Sequence, residues 1–259
     1  MGALANALLS WLVALPPWLS LLMITAALVL PALVCVRLLR KKVPHEKMSR
    51  HHEVAGFVFA AVGVIYGVLL AISVLIAFEH HRDTESATWS EAAALQSMRD
   101  LLATSDDPQA GEADVVLERY IGLVVIEELS QGYREGASEA AESAFSELWD
   151  TVPASVAGND DAVSHVLLGQ LSQADASRTQ RHLGAGGAIS TTMWIVLALG
   201  AAVTIGFSLL FSVESFAPHL LVVGGIAVTV ALVLFVVVQL NFPFVGAEAI
   251  GAEAFQDLR

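Results

Sequence analysis

Two histidine pairs, His51-His52 and His80-His81, are the side chains whose type first suggests metal or proton chemistry. Neighbours on a helix point about 100° apart, and the 29 residues from one pair to the next separate them by about 44 Å of helix. They cannot share one metal ion. They mark the two edges of an apolar run, where an amphipathic ring is comfortable. No HExxH or EF-hand pattern occurs. Serines, histidines and carboxylates are present, but none stands in a nucleophile-elbow or phosphate-loop context, and Gly184-Ala-Gly-Gly187 reads as a hinge. The single cysteine, Cys35, lies in an apolar run, which excludes disulfides within the chain and thiolate-rich metal sites. The expectation is no enzyme activity and no catalytic, cofactor-binding or metal-ligating residues.

The polar chemistry that is left lies in apolar surroundings. Phe59, Tyr66 and Ser73 recur every seven residues, on nearly one face of a helix, and that stripe either lines a pore or is buried. Small residues recur at similar spacing, Gly63 with Gly67, Gly200 with Thr204 and Ser208, Gly225 with Thr229, which predicts close helix packing.

The elements that must position these residues follow from how the composition is segregated. The chain is 56% hydrophobic with a mean hydropathy of +0.66, yet carries a net charge of -13. Its apolar residues gather in four charge-poor runs, 18–36, 54–78, 192–211 and 220–240, each able to cross a hydrocarbon core about 30 Å thick as a helix. The first carries Pro31, where a kink is expected. Ahead of it, residues 1–17, with Trp11 and the Pro16-Pro17 pair, read as an interfacial segment and not as a cleaved secretory signal. No span has an ionisable side chain at its middle, which disfavours proton- or sodium-coupled transport.

Arg37, Arg40, Lys41, Lys42, Lys47 and Arg50 crowd the loop 37–53, so positive-inside logic places that loop in the cytoplasm. Domain 79–190 then lies on the extracytoplasmic side of the plasma membrane. The predicted fold is an all-α membrane protein: four transmembrane helices in two hairpins, an acidic helical extramembrane domain between helices 2 and 3, and a C-terminal tail, 241–259.

Domain 79–190 holds 20 Asp and Glu against 6 Arg and no Lys, a net of -14. Glu79 to Thr104 continues the second span as a helical stalk, and three more helices are expected over 113–130, 138–152 and 160–183, with Ser138 and Asn159 as N-caps. Such a surface has no Lys/Arg patch to displace counterions from phosphates, so nucleic acid is not a partner. The scarcity of lysine resembles the salt-adapted proteins of halophilic microbes.

The chain's end, Gln239-Leu-Asn-Phe-Pro-Phe-Val-Gly246 followed by Glu253-Ala-Phe255, resembles a tail motif of the bestrophin-like family of four-helix membrane proteins, with Pro243, Phe244 and Gly246 as its core. Ala55 to Phe59, Tyr66 to Leu70, Glu91, Arg178 to Leu183, Phe211 to Glu214 and His219 agree with it in order. The resemblance implies a prokaryotic homo-oligomer distantly related to bestrophins, which are pentameric chloride channels whose second helix lines a hydrophobic neck. On that reading Phe59, Tyr66 and Ser73 face a passive pathway for a small inorganic anion, and Arg178 and Arg181 draw anions to its mouth. The alternative is a non-transporting membrane scaffold or sensor whose helical domain binds partners. The two-hairpin layout also resembles flagellar-motor stator subunits, a version that needs a partner to supply the mid-membrane carboxylate.

Overall fold

The computed structural model describes residues 9–42, 52–105, 107–130, 138–156, 162–210, 215–256 and 258, which form helices and turns with no strand among them. The helices are α1 (Pro17–Lys42), α2 (His52–Leu102), α3 (Pro108–Leu123), α4 (Glu139–Ser155), α5 (Ala162–Gly184), α6 (Thr191–Ser208), α7 (Phe216–Leu240) and the short α8 (Glu253–Gln256). They belong to two compact units.

The first unit takes residues 1–79 and 188–241. Its helices α1, α6, α7 and the first part of α2 are each long and apolar enough to cross a membrane. Proline at the first position of α1 suits a helix start, since its missing N–H is one that no helix bonds anyway. Pro31 lies inside α1 without ending it, and α1 runs to Lys42, so the first six residues of the expected 37–53 loop are helical. Lys47, Arg50 and His51 lie outside the described residues.

Packing in this unit pairs helices that are distant in sequence. Helix α1 packs chiefly on α7, with Ala32 and Val36 clustering with Val223 and Ala227. Tyr66 and Leu70 of α2 cluster with Leu197 and Ala201 of α6 and with Val230 and Val237 of α7. Lipid tails are as apolar as leucine, so side chains gain little by leaving them, and contact is decided by where small residues let backbones approach. Much of the outward surface is apolar: Trp18, Leu30, Val64, Leu199 and Leu221 are all exposed. That surface suits hydrocarbon and would be a large aggregating patch in water.

The second unit takes residues 80–187 and 242–259. Its core joins Leu95 and Met98 of α2, Leu117, Tyr120 and Ile121 of α3, Phe145 and Leu148 of α4, and Leu171 of α5. Each such side chain, once fully buried, contributes about 1.5–3 kcal/mol. The helix starts are capped by side-chain oxygens that accept first-turn amides: Asp107 takes Gln109 N, with Pro108 next in the chain, and Ser138 takes Ala141 N. Glu139 and Glu142 then complement the positive end of α4. Asn159 lies outside the described residues.

The expected C-terminal tail is part of this second unit. Phe244, Ala254, Phe255 and Leu258 enter its core, Phe255 completely. Gly246 turns the chain with φ of 104°, a left-handed conformation that side chains rarely adopt, and Ile250 N closes the loop on Pro243 O at 2.7 Å. A run too short and too aromatic to be solvated folds back because two phenylalanines are worth more inside than out.

Candidate functional site

The residues expected to line a pathway are placed by α2. Tyr66 and Ser73 are buried within the first unit and Phe59 is half-buried, so the stripe is one face, turned toward the chain's own helices. The Tyr66 hydroxyl donates to Leu197 O at 3.0 Å and the Ser73 hydroxyl to Leu69 O at 2.8 Å, one turn back on its own helix. Gly200 permits this: a Cβ there would run into the Tyr66 ring. Of the expected pore-lining residues, Tyr66 and Ser73 thus spend their hydroxyls on acceptors within the chain. Seven-residue spacing finds a shared face but not its direction, and here the polar atoms are consumed by helix packing. The opposite face of α2, Phe57, Val64, Val68 and Leu75, is the exposed one.

The most elaborate constellation lies in the second unit. Arg181, in the last turn of α5, is fully buried with Glu91 of α2 and Glu128. Its Nε donates to Glu91 Oε2 at 2.6 Å, Nη2 to Glu91 Oε1 at 3.2 Å, and Nη1 to Glu128 Oε2 at 2.7 Å. The guanidinium fork is thus bidentate on one carboxylate and bridges to the second. The Tyr120 hydroxyl also donates to Glu91 Oε1, and the Ser138 backbone N donates to Glu128 Oε1 at 3.1 Å. Burial, then the nearby Glu91, pushes the Tyr120 phenol well above its usual range, so it stays a proton donor.

Glu128 reaches this site through a local irregularity. After α3 the chain continues for one π-helical turn, Val124–Leu129, in which Ser130 N bonds Val125 O at 3.0 Å, five residues back. The extra residue in this turn shifts the register of the helix face, and it brings Glu128 in among Val124, Val125 and Leu129, all buried. Beside it, Arg178 pairs with Glu142 and lies 4.8 Å from the Phe145 ring centre, while Tyr120 tilts against the same ring at 5.0 Å. The hydrogen bond from Arg178 holds Glu142 below the usual carboxylate range. Burial, then Arg181 and Arg178, lower the His182 imidazole to about 4, so it is neutral near pH 7.

Of the two arginines expected at a pathway mouth, Arg178 is buried and paired with Glu142, and Arg181 is fully buried and shared between Glu91 and Glu128. Glu91 was legible as a stalk residue, whereas Glu128 was missed. Its signal was a lone carboxylate at a core position of an otherwise apolar helix face. His80 also has a role other than a ligand's: its Nε2 lies 3.0 Å from Gly184 O and 2.8 Å from Gly186 O, so that nitrogen carries the proton and caps the end of α5.

Pro243, Phe244 and Gly246 serve the fold of the second unit, through the 243–250 turn and the packing of Phe244 in the core. Among the described residues, no three His, Cys, Asp or Glu side chains gather as a metal site would require.

The family model described as Bestrophin-like domain matches residues 26–255, nearly the whole chain. No curated protein and no solved structure matches.

Proposed function

The chain belongs to the bestrophin-like family, and from that premise we propose that it is an oligomeric membrane protein forming a passive pathway for small inorganic anions, with α2 as the lining helix. Its spans run as two hairpins, with loop 37–53 in the cytoplasm and the acidic unit across the plasma membrane. Subunit number, five by analogy with bestrophins, comes from the same resemblance.

The observation that carries this reading is the outward face of α2. A pathway between subunits must be lined by side chains that one subunit leaves uncovered, and Phe57, Val64, Val68 and Leu75 form such a face. A ring of them is a hydrophobic constriction, the kind that gates by dewetting and passes ions without coupling to protons. The absence of Asp, Glu, Lys, Arg and His between Phe57 and Phe78 agrees with a passive route.

The test is chloride and potassium flux into liposomes reconstituted with the purified oligomer, at low and high salt. Chloride uptake that exceeds potassium uptake supports the proposal. No flux from folded oligomer would leave the scaffold reading, which the self-satisfied charges of the second unit favour.

A further inference from the structure

Four helix ends of the second unit meet around a cavity. Helix α2 finishes at Leu102 and α4 at Ser155, while α3 starts at Pro108 and α5 at Ala162. Between them lies a space of about 180 Å³. Its floor is made by Leu102, Ala110 and Leu167 with the hydroxyls of Ser155 and Ser164, none more than 5% exposed. Its mouth is made by Thr104, Ser105 and Val163, which solvent reaches.

Size and polarity together narrow what fits. An apolar cavity of about 150 Å³ is enough to hold benzene, so this one has room for a six-membered ring with a substituent. Thr104 Oγ1 donates to Leu101 O and Ser155 Oγ to Val152 O, both at 2.7 Å, and Ser105 Oγ accepts from Asp107 N at 3.2 Å. With their single protons spent on the backbone, Thr104 and Ser155 offer lone pairs, so the hydrogen-bond donor must come from the ligand. A hydrocarbon would desolvate those lone pairs without pairing them.

Charge is disfavoured on independent grounds. None of the ten lining residues is ionisable, so an ion held there meets no counter-charge. Two helix carboxyl ends and two amino ends face the space, and their partial charges, about half a unit each, offset one another. The acidic unit around it repels anions further.

We propose that this end of the bundle is a binding site for a small uncharged amphiphile, an apolar ring or branched chain of about six carbons bearing one O–H or N–H donor. Such a ligand touches all four helices and steadies their alignment by binding only the folded unit. The site requires neither conduction nor assembly, so it stands or falls separately from the flux reading.

The test uses 4-fluorophenol as the probe and the full-length protein in lipid nanodiscs, read by fluorine NMR. A saturable component of one probe per chain is expected above the unsaturable partition into bilayer. Val163→Trp at the mouth and Ser164→Leu at the floor should each fill the space and abolish the saturable component, with the bilayer partition unchanged. Val163 is 46% exposed, so its replacement should leave the thermal midpoint without probe unaltered. Fluorobenzene, which lacks the donor, and 4-fluorobenzoate, which is charged, should each bind at least about tenfold more weakly. No saturable component in the parent would overturn the assignment and leave the space to water. A component that persists in both variants, or fluorobenzene binding as tightly as 4-fluorophenol, would overturn it as well.

Discussion

The two units solve the same problem, holding helices together, by opposite means. The four-helix apolar unit packs through Gly200 and alanines such as Ala32, Ala201 and Ala227, with a hydrogen bond across helices from Tyr66. Its Gly63, Gly67 and Gly225 face open space, and among the described residues it buries no Asp, Glu, Lys or Arg. The acidic unit buries an arginine between two carboxylates and closes around them with a conventional apolar core. The difference teaches where specificity comes from. In lipid, apolar contact distinguishes one helix face poorly from another, so close approach at Gly200 and Ala32 sets the register. In water, apolar burial is abundant but unselective, and the Glu91–Arg181–Glu128 bridge admits one alignment of α2, α5 and the π-helical turn.

The comparison breaks first at the ion bridge. Glu91→Ala leaves the fully buried Arg181 short of its bidentate partner, and should cost about 3–5 kcal/mol. Chemical unfolding of the detergent-purified protein, read at the aromatic bands of the acidic unit, measures it. Replacing Arg181, Glu91 and Glu128 together by Met, Leu and Leu should recover most of that loss, since an apolar core of similar volume removes the desolvation cost. The C-terminal segment gives the next largest effect: Phe255→Ala should cost about 3–5 kcal/mol, and limited proteolysis should then cut after Asn241. A solvated tail would show neither. Gly246→Ala, at its left-handed turn, should cost about 1–2 kcal/mol by the same unfolding assay. In the apolar unit Tyr66→Phe removes one interhelical hydrogen bond and should cost only about 0.6 kcal/mol.

A pH dependence separates the units as well. Free histidine titrates near 6.5, whereas His182 in the folded unit titrates near 4, so the unfolded chain binds the extra proton first. Stability from this residue is whole above pH 6.5 and falls as the pH drops toward 4. His182→Gln should flatten the thermal midpoint between pH 6.5 and 5, where few carboxylates contribute, and leave the apolar unit's behaviour unchanged.

Much of this was legible in the residues. The four apolar runs without charge are matched by four helices long and apolar enough to cross a membrane, and Glu79 to Leu102 carried a helix-face pattern that the continuous α2 obeys. The cap at Ser138 belongs to a few residue types in a fixed position, whereas the cap at Asp107 and the helix start at Pro108 lie ahead of the expected 113–130 helix. What periodicity could not give was direction. The face holding Phe59, Tyr66 and Ser73 is a matter of angle, but whether it turns inward depends on Leu197 and Gly200, more than a hundred residues away. The pairing of Arg181 with Glu91 and Glu128 is likewise long-range, and the π-helical turn that admits Glu128 has no short sequence signature. Nor did residues 242–259 announce a core, because two phenylalanines around a proline turn look the same in a flexible tail.

The central claim is that α2 presents Phe57, Val64, Val68 and Leu75 to an ion pathway and keeps Tyr66 and Ser73 for its own bundle. Single cysteines at Val68 and Ser73, in a Cys35→Ala background, test it most directly through block of liposome chloride flux by a charged thiol reagent. Val68→Cys should be blocked and Ser73→Cys should not. Block at Ser73→Cys with Val68→Cys untouched would contradict the account.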